Sequence, residues 1–307
     1  MAAIDAALIE LGWALLAAGY CFTTPTPATH ALVNARPANA WAHTLADVFG
    51  WSRPFRDGVV PPALVALMDA AGVLAPAGLG HRALVRFSTL DGLLLAHSAY
   101  PTTGADAVFF GPDTYRFCAA IEALPAQGVK RAVDIGTGAG PGALVLARRY
   151  PAADVRAVDI NPAALRLAGV NAAVNDLAIT TLHSDLLRDA PGPFDLIVSN
   201  PPYLVDPGAR AYRHGGGPLG AELSLAILGA AWDALAPGGT LLLYTGSAIV
   251  DGCDRFYDAA RARLPAEAIT GYREIDPDVF GEELATGAYV MADRIAAVAL
   301  TVQKNGG

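Results

Sequence analysis

The sequence predicts an α/β fold: a doubly wound, mostly parallel sheet over residues 105–307, preceded by a small N-terminal domain over residues 1–104. Two observations carry this prediction. After residue 105, short apolar stretches alternate with stretches of helical periodicity, a pattern typical of strand–helix–strand units with right-handed crossovers. Acidic residues, glycines or an Asn-Pro-Pro-Tyr quartet follow several of these apolar stretches. Ligands of doubly wound sheets bind outside the carboxyl ends of the strands.

The N-terminal domain is expected to be helical with one β-hairpin. Apolar residues recur at helical spacing over Ile4–Leu16 and Pro62–Leu74. Ala83–Phe87 and Leu93–Ala96 are typical of strands on either side of the turn at 91–92. Helices followed by a hairpin indicate a winged-helix-like module. Residues 1–130 hold 7 basic and 9 acidic side chains, a balance that favours a protein-contacting or structural role.

The second half of the chain alternates strands with helices. Predicted strands cover Ala132–Ile135, Val155–Ile160, Ile179–His183, Phe194–Ser199, Thr240–Thr245 and Ala296–Gln303. Predicted helices cover Gly142–Arg149 and Pro162–Asn175, and another starts near Ala221. Because parallel strands covered on both faces are apolar throughout, we expect this sheet to be buried on both faces.

The composition excludes several classes of protein. The chain has 307 residues, of which 53% are hydrophobic, and a formal net charge of -8. It can therefore bury a large core, and it is unsuited to coating nucleic acid through bulk charge. The most apolar stretch, 11–22, has 12 residues, fewer than the ~20 that a membrane-spanning helix needs. The first residues carry Asp5 and Glu10 but no basic residue, unlike a secretory signal. We expect a cytoplasmic protein without membrane association.

The cysteines do not indicate a disulfide framework or a metal cluster. Cys21, Cys118 and Cys253 lie far apart and are odd in number. We expect them to be buried free thiols, which is the common state of unpaired cysteine. The histidines have no ligand spacing either, so no metal site is predicted.

A glycine-rich turn directly follows the first predicted strand of the second half. It opens with Asp134 and places Gly136, Gly138 and Gly140 at alternate positions, which permits positive φ and close approach of the backbone to a ligand. The spacing is G-x-G-x-G, whereas the dinucleotide-binding turn has G-x-G-x-x-G. An ordinary tight turn is the alternative interpretation.

Acidic residues end the next two strands. Asp159 can accept both hydrogen bonds of a ribose diol, and Asp185 can meet an adenine amino group. With the glycine turn, they resemble the cofactor site of the class I S-adenosylmethionine-dependent methyltransferases, whose fold is Rossmann-like. The resemblance implies S-adenosylmethionine as cofactor, with one acid at its amino-acid end and another on its ribose. The cofactor-binding residues that it implies are Asp134, Gly136, Thr137, Gly138, Gly140, Asp159, Ile160, Asp185, Leu186 and Asn200.

The strand over 194–199 runs directly into Asn200, Pro201, Pro202 and Tyr203. The prolines cannot donate to a ladder and hold φ fixed, so the turn is stiff. The Asn200 Oδ1 and the Pro201 carbonyl can accept both hydrogens of one planar NH₂ group, and Tyr203 can stack on its plane. Such acceptors localise the nitrogen lone pair toward a sulfonium methyl group. A loop that merely ends a strand is the alternative.

This quartet resembles the Asp/Asn-Pro-Pro-Tyr/Phe signature of amino-methyltransferases. Members of that family act on exocyclic amines of adenine or guanine, or on glutamine side-chain amides. The resemblance implies that Asn200, Pro201, Pro202 and Tyr203 are the catalytic residues.

Two flanking segments resemble HemK-type protein-glutamine methyltransferases. Residues 112–114 match part of the Pro-x-Pro-Glu/Asp-Thr segment of that family, although Tyr115 stands where an acidic residue normally follows. A helix N-cap at Asp113 or Thr114 is compatible with that match. Residues 211–217 are glycine-rich and could fold over a substrate, or they could be a solvated loop. The candidate substrate-binding residues are Phe110, Pro112, Thr114, Arg213 and His214.

The predicted function is an S-adenosylmethionine-dependent N-methyltransferase that acts on a macromolecule, with a protein glutamine side chain favoured over RNA or DNA. A methyltransferase for adenine or guanine amines on RNA or DNA is an alternative, and it needs a basic stripe such as Arg82, Arg86, Arg148 and Arg149. A small-molecule N-methyltransferase is another. The alternative from a different class is a non-catalytic binding module that keeps the cofactor fold. The oligomeric state is not predicted.

Overall fold

A mixed sheet, in which seven described strands pair in succession, forms the centre of the protein. The computed structural model describes residues 3–125, 128–206 and 212–306. The helices are α1 Ala3–Ala17, α2 Pro27–Asn34, α3 Leu45–Phe49, α4 Pro62–Ala70, α5 Pro112–Glu122, α6 Pro141–Arg149, α7 Pro162–Val174, α8 Glu222–Ala234 and α9 Arg255–Arg261. The strands are β1 Leu74–Ala77, β2 Gly80–Ala83, β3 Val85–Leu90, β4 Leu93–Ser98, β5 Arg131–Ile135, β6 Asp154–Asp159, β7 Thr180–His183, β8 Phe194–Ser199, β9 Leu235–Val250, β10 Cys253–Asp254, β11 Ile269–Asp276 and β12 Arg294–Gln303.

The strand order of the central sheet is β11-β12-β9-β8-β5-β6-β7, and β10 pairs with β9. The pairings from β9 to β7 are all parallel, whereas β12 is antiparallel to both β9 and β11. The chain proceeds outward from β5 through β6 to β7 and then returns to β8 on the other side of β5. That reversal is a topological switch point, the place where such sheets bind ligands. The predicted mostly parallel, doubly wound sheet is confirmed.

Helices cover both faces of the sheet. Along β5, Val133 and Ile135 belong to a core cluster that includes side chains of α8 and α9, while Ala132 belongs to a cluster that includes α5 and α6. Because successive side chains of a strand point to opposite faces, the two clusters lie on opposite sides of the sheet. The expectation of burial on both faces holds for the central strands.

The N-terminal half has its own hydrophobic cluster, built from α1, α3, α4, β3 and β4. Val170 and Val174 of α7 belong to the same cluster, so the N-terminal elements pack against the sheet domain through α7. The helical N-terminal region and the hairpin around residues 91–92 agree with the sequence expectation. The division of the chain at residues 104 and 105 stays a prediction.

Several elements differ from the sequence expectation. The helix that starts at Pro62 ends at Ala70, because Gly72 adopts a φ of +67°, and a further hairpin of β1 and β2 follows. Strand β9 has 16 residues and is much longer than predicted. Strand β11 was not predicted: it lies at the edge of the sheet, and its side chains are exposed or half-buried, so its sequence has no apolar stretch.

The cysteine expectation is wrong in part. Cys118 is buried, but Cys21 and Cys253 are exposed. Cys21 precedes α2, and Cys253 follows the Asp251–Gly252 turn after β9, both at the surface. Among the residues that the structure describes, no helix is long and apolar enough to cross a membrane.

Asn171 of α7 joins the N-terminal hairpin to the glycine-rich turn. Its side chain is fully buried. Its Oδ1 accepts a hydrogen bond from the Ala96 amide at 2.7 Å, and its Nδ2 donates to the carbonyls of Ala96 at 3.0 Å and Ala139 at 2.8 Å. Ala96 lies in β4 and Ala139 in the turn after β5. One carboxamide therefore satisfies three buried backbone groups.

Asn171→Ala is expected to lower the free energy of unfolding by at least about 3 kcal/mol, because three buried backbone groups lose a partner and each loss costs about 1–3 kcal/mol. Urea unfolding followed by circular dichroism measures the change. Gln303→Ala is the control, since it removes an exposed carboxamide with one long hydrogen bond (3.4 Å to the Gly238 carbonyl). A loss for Asn171→Ala no larger than for the control would contradict this role.

Candidate functional site

A cavity of about 240 Å³ opens at the carboxyl ends of β5, β6, β7 and β8. It lies at the switch point of the sheet, where the sequence motifs converge. The sequence-predicted site residues that line it are Asp134, Gly136, Thr137, Gly138, Asp159, Ile160, Asp185, Leu186, Asn200, Pro201, Pro202, Tyr203, Thr114 and Arg213. One cavity thus brings together most of the cofactor, catalytic and substrate candidates.

The glycine-rich turn has the backbone conformation that its sequence predicts. Gly136, Gly138 and Gly140 have φ values of +68°, +56° and +88°, in the left-handed region where side chains with a Cβ are strained. Gly140 does not line the cavity; a Cβ there would lie 3.1 Å from the Ala168 Cβ. Gly136 and Gly138 have open space around the same position. Gly140 therefore serves the packing of the turn on α7, and the other two leave room in the cavity.

Asp134 is a buried carboxylate at the base of this turn. Its Oδ2 accepts hydrogen bonds from the Thr137 hydroxyl at 2.7 Å and from the Ala143 amide at 3.0 Å. Burial raises the pKa of Asp134 to about 7, and these two hydrogen bonds only partly offset that effect. The nearby Asp159 carboxylate adds to the rise. The protonation state of Asp134 is thus poised to change near neutral pH.

Asp159 ends β6 and is held by backbone amides. Its Oδ2 accepts from the Gly138 amide at 2.9 Å, and its Oδ1 accepts from the Asn161 amide at 2.8 Å. Burial raises the pKa of this carboxyl group as well. Because a carboxylate offers about four lone-pair sites, each oxygen can accept a further hydrogen bond from the cavity.

Asp185 and Leu186 follow β7 at the outer end of the cavity. Asp185 is exposed, and its carboxylate lies 3.2 Å from the Arg188 guanidinium. Leu186 has a φ of +55°, which is unusual for a residue with a side chain. Both residues line the cavity.

Asn200 and Tyr203 follow β8 and use their polar groups differently. The Asn200 side chain is half-buried and lines the cavity; within the described part of the chain, its carboxamide has no hydrogen-bond partner. The Tyr203 side chain is buried, and its hydroxyl donates to the Asp113 Oδ2 at 2.8 Å. Burial, with the Asp113 charge beside it, raises the pKa of Tyr203 far above its ordinary value. Asn200 thus keeps its donors and acceptors for a ligand, whereas the Tyr203 hydroxyl is occupied.

Aromatic side chains that the sequence did not identify complete the cavity. The rings of Phe109 and Tyr212 stack with centroids 6.2 Å apart and planes 12° apart. The Phe280 ring meets the Tyr203 ring edge-on at 5.9 Å. Phe280 lies far along the chain from every motif and has no local signal. Phe109 is half-buried beside a fully buried Phe110, and only the structure shows which of the two rings reaches the cavity.

Three of the candidate substrate-binding residues do not line the cavity. Phe110 packs in the core, with its ring stacked on His97 at 5.0 Å. Pro112 begins α5, and the His214 Nδ1 accepts from the Asp206 amide at 3.1 Å. Arg213 does line it, but its guanidinium is ion-paired with Glu283. The first residue of the predicted lid, Ala211, lies outside the described residues.

The helix-cap alternative for residues 112–114 holds in part. Gly111 is the N-cap of α5, and its amide donates to the Thr114 Oγ1 at 3.3 Å. Asp113 does not cap the helix; its carboxylate binds tyrosines inside the protein. Thr114 therefore contributes both to the helix start and to the cavity wall.

The basic stripe that nucleic-acid binding needs is largely absent from the described surface. Arg86 is buried at 4% exposure. Arg148 and Arg149 are both ion-paired with Glu122, at 2.8 Å and 2.9 Å. Arg82 is half-buried. The four arginines therefore do not present a continuous row of free charges.

Comparison with known proteins finds similarity in the second half of the chain. Residues 119–249 match a family model described as the methyltransferase small domain. The matched residues run from within α5 to near the end of β9, so the match includes both the glycine-rich turn and the 200–203 quartet.

Relatives that are similar to this part of the chain are named for different macromolecular substrates. The release factor glutamine methyltransferase of Deinococcus radiodurans is 38% identical over 156 residues, which are 46% of this chain and 55% of that protein. The tRNA1(Val) (adenine(37)-N6)-methyltransferase of Aeromonas hydrophila is 38% identical over 136 residues, which are 41% of this chain and 56% of that protein. The chain spans about half the length of the curated relatives it matches.

A solved structure shares the fold. Trm5b from Pyrococcus abyssi aligns with a TM-score of 0.51 and 18% identity, covering 75% of this chain and 62% of that chain. At that identity the likeness shows the fold alone, a Rossmann-like architecture.

Proposed function

We propose that this protein is an S-adenosylmethionine-dependent N-methyltransferase whose substrate is a glutamine side-chain amide of a protein. The observation that carries the proposal is the state of Asn200: a half-buried carboxamide without a hydrogen-bond partner among the described residues, at the carboxyl end of β8 and near a buried tyrosine. That group can accept a hydrogen bond from a planar NH₂ group, as the Pro201 carbonyl next to it can. The rest of the cavity is compatible with the cofactor.

The cavity fits S-adenosylmethionine in the kind of donors and acceptors it offers. Asp159 has free lone pairs for the ribose hydroxyls, and Asp134 at the base of the turn is suited to a cationic amino-acid end. Gly136 and Gly138 leave open space where other residues would carry a Cβ. When bound, the cofactor supplies a methyl group on a sulfonium centre.

The chain's own residues bind and orient the substrate nitrogen. Asn200 Oδ1 and the Pro201 carbonyl accept hydrogen bonds from the two N–H groups of the amide, which draws lone-pair density onto the nitrogen. Pro201 and Pro202 hold these acceptors in place because their φ angles are fixed. The Tyr203 ring provides a flat apolar surface against the amide plane. Tyr203 keeps its proton, since its pKa is far above its ordinary value.

Charge favours a protein amide over a base on RNA or DNA. Among the described residues that line the cavity, Arg213 is the one cation, and Glu283 neutralises it. A polynucleotide needs positive side chains near its phosphates. Of the four arginines that could have formed a stripe, Arg86 is buried, Arg82 is half-buried, and Arg148 and Arg149 are paired with Glu122. The glutamine methyltransferase of Deinococcus radiodurans points the same way, whereas the tRNA enzyme of Aeromonas hydrophila supports the alternative. A cytoplasmic location stays a prediction.

Methyl-label transfer into a cell extract tests the proposal. The purified protein is incubated with methyl-labelled S-adenosylmethionine and an extract split into protein, RNA and DNA fractions. Label in the protein fraction, released as N5-methylglutamine after enzymatic digestion, is the expected result. Label confined to RNA or DNA would overturn the proposal of a glutamine substrate. A calorimetric titration that detects no binding of S-adenosylmethionine would overturn the proposal that the protein is a methyltransferase.

Asp159→Ala is expected to raise the Kd of S-adenosylmethionine roughly 10- to 100-fold, because hydrogen bonds to a charged group contribute about 1.5–3 kcal/mol. Isothermal titration calorimetry measures it. Asp195→Ala is the matched control: the Asp195 carboxylate accepts from the amides of Lys130 and Arg131 at 2.8 Å and 2.9 Å, but it lies at the opposite end of β8. The Kd of S-adenosylmethionine for Asp195→Ala should stay within about twofold of the wild-type value. Equal losses in both variants would contradict a ribose contact.

A further inference from the structure

We infer that Asp113 is a positioning residue that sets the orientation of the Tyr203 ring for methyl transfer. The inference rests on the proposed function, since it concerns the same cavity. It adds a residue that lies outside the 200–203 quartet and on a different element, the first turn of α5.

The Asp113 carboxylate is the centre of a buried hydrogen-bond network. Its exposed fraction is 8%. Its Oδ2 accepts from the Tyr203 hydroxyl at 2.8 Å, and its Oδ1 accepts from the Tyr244 hydroxyl at 2.9 Å and from the Arg116 guanidinium at 3.1 Å. Arg116 also binds Asp276 of β11 at 2.6 Å. Three donors from α5, β9 and the quartet therefore meet on one carboxylate.

This network commits the Tyr203 hydroxyl proton to Asp113, so the hydroxyl has no proton left to donate to a substrate. A hydrogen bond to a carboxylate is stronger than one between neutral groups, and a buried carboxylate that loses a donor is costly. The hydroxyl is therefore held on Asp113, on the α5 side of the cavity. What remains for a substrate is the ring itself.

The ring is also restrained by the sheet. Gly246 of β9 lies against it so closely that a Cβ at that position would be 2.2 Å from the Tyr203 Cδ2. Phe280, in the segment between β11 and β12, meets it edge-on, with planes 68° apart. With its hydroxyl on Asp113 and its ring against the backbone of Gly246, Tyr203 presents a fixed surface to the cavity. Near-attack geometry depends on such fixed surfaces.

Three variants test the inference: Tyr203→Phe, Asp113→Ala and the double variant. Each single variant is expected to lower kcat roughly 10- to 100-fold, the loss expected for one hydrogen bond to a charged group, while the Kd of S-adenosylmethionine stays within about twofold. Because Asp113 acts through Tyr203, the double variant should be no slower than the slower single variant. Asp113→Asn, which keeps an acceptor oxygen, should recover part of the loss.

Tyr272→Phe is the matched control. The Tyr272 hydroxyl also donates to a carboxylate, that of Asp254, at 2.5 Å, but the pair lies outside the cavity. Its kcat should stay within about twofold of wild type. Activities are counted per cofactor-binding site, so a loss of folded protein does not lower kcat. Multiplicative losses in the double variant, or a wild-type kcat for Tyr203→Phe, would overturn the inference.

Failure of the proposed function is recognised separately. If the wild-type protein transfers no methyl group, the proposed function fails, and a crystal structure of Asp113→Ala decides the inference instead. A displaced or disordered Tyr203 ring supports it, and a ring in its wild-type position overturns it.

Discussion

Asn200→Ala is expected to lower kcat roughly 100- to 1,000-fold, comparable with the loss of one preorganised hydrogen-bonding group at a reacting centre. The physical reason lies in the state of the side chain. Its carboxamide has no partner among the described residues and lines the cavity, so its removal costs the folded protein little. The same oxygen is the acceptor that would hold the substrate NH₂ group against rotation.

Methyl transfer to the protein substrate, measured beside calorimetric titration of S-adenosylmethionine, separates the two roles of this site. The Kd should stay within about threefold of wild type, in contrast to Asp159→Ala. Asn39→Ala is the control, since Asn39 donates to the Val33 carbonyl at 2.7 Å in the N-terminal half, remote from the cavity. If Asn200→Ala lost cofactor affinity as strongly as turnover, the assignment of Asp159 to the cofactor and of Asn200 to the substrate would be wrong.

The sheet could be predicted because its central strands are buried on both faces and are therefore apolar in sequence. The carboxyl ends of β5, β6 and β8 could be located for the same reason, and with them Asp134, Asp159 and Asn200. Strand β11 is exposed on much of its surface, so nothing in its composition distinguishes it from a loop. Edge strands are specified by their neighbours more than by their own residues.

The partners of the site residues could not be predicted from the sequence. Tyr244 binds Asp113 across 131 positions of the chain, and Phe280 reaches Tyr203 from a segment with no motif. Such contacts depend on side-chain direction within an element, which the pattern of apolar residues does not determine. The adjacent Phe109 and Phe110 show this directly: the chemistry of the two residues is identical, and only their orientation separates a cavity wall from the core.

The structure shows that part of the net charge of -8 comes from buried side chains. Several acidic groups are not at the surface: Asp113, Asp134 and Glu283 are buried. All three have specific partners: Asp113 accepts from tyrosines, Asp134 accepts from Thr137 and Ala143, and Glu283 pairs with Arg213. The acidity of the sequence is therefore partly an internal feature of the cavity and its rim. It is weaker support against a nucleic-acid substrate than the pairing of the arginines.

Asp134→Asn is expected to stabilise the cofactor-free protein at pH 8 by about 4 kcal/mol relative to wild type, since one pKa unit corresponds to about 1.4 kcal/mol. Burial raises the pKa of Asp134 from 3.8 to about 7. Between those values the unfolded chain is ionised while the folded protein still holds the proton, so the wild type loses stability as the pH rises. The asparagine oxygen can still accept from Thr137 and Ala143.

The same substitution should weaken the binding of the cofactor and remove the pH dependence of that binding. If Asp134 meets the cationic amino-acid end of S-adenosylmethionine, the wild-type protein must release a proton to bind below pH 7. Its affinity should then rise from pH 6 to pH 8, whereas that of Asp134→Asn should be lower and flat. Urea unfolding at pH 4.5 and 8 and calorimetry at pH 6 and 8 measure both effects; at pH 4.5 the stability difference should have largely disappeared. If the wild-type affinity for S-adenosylmethionine did not depend on pH while the predicted stability change was present, the Asp134 carboxylate would support the turn and would not contact the ligand.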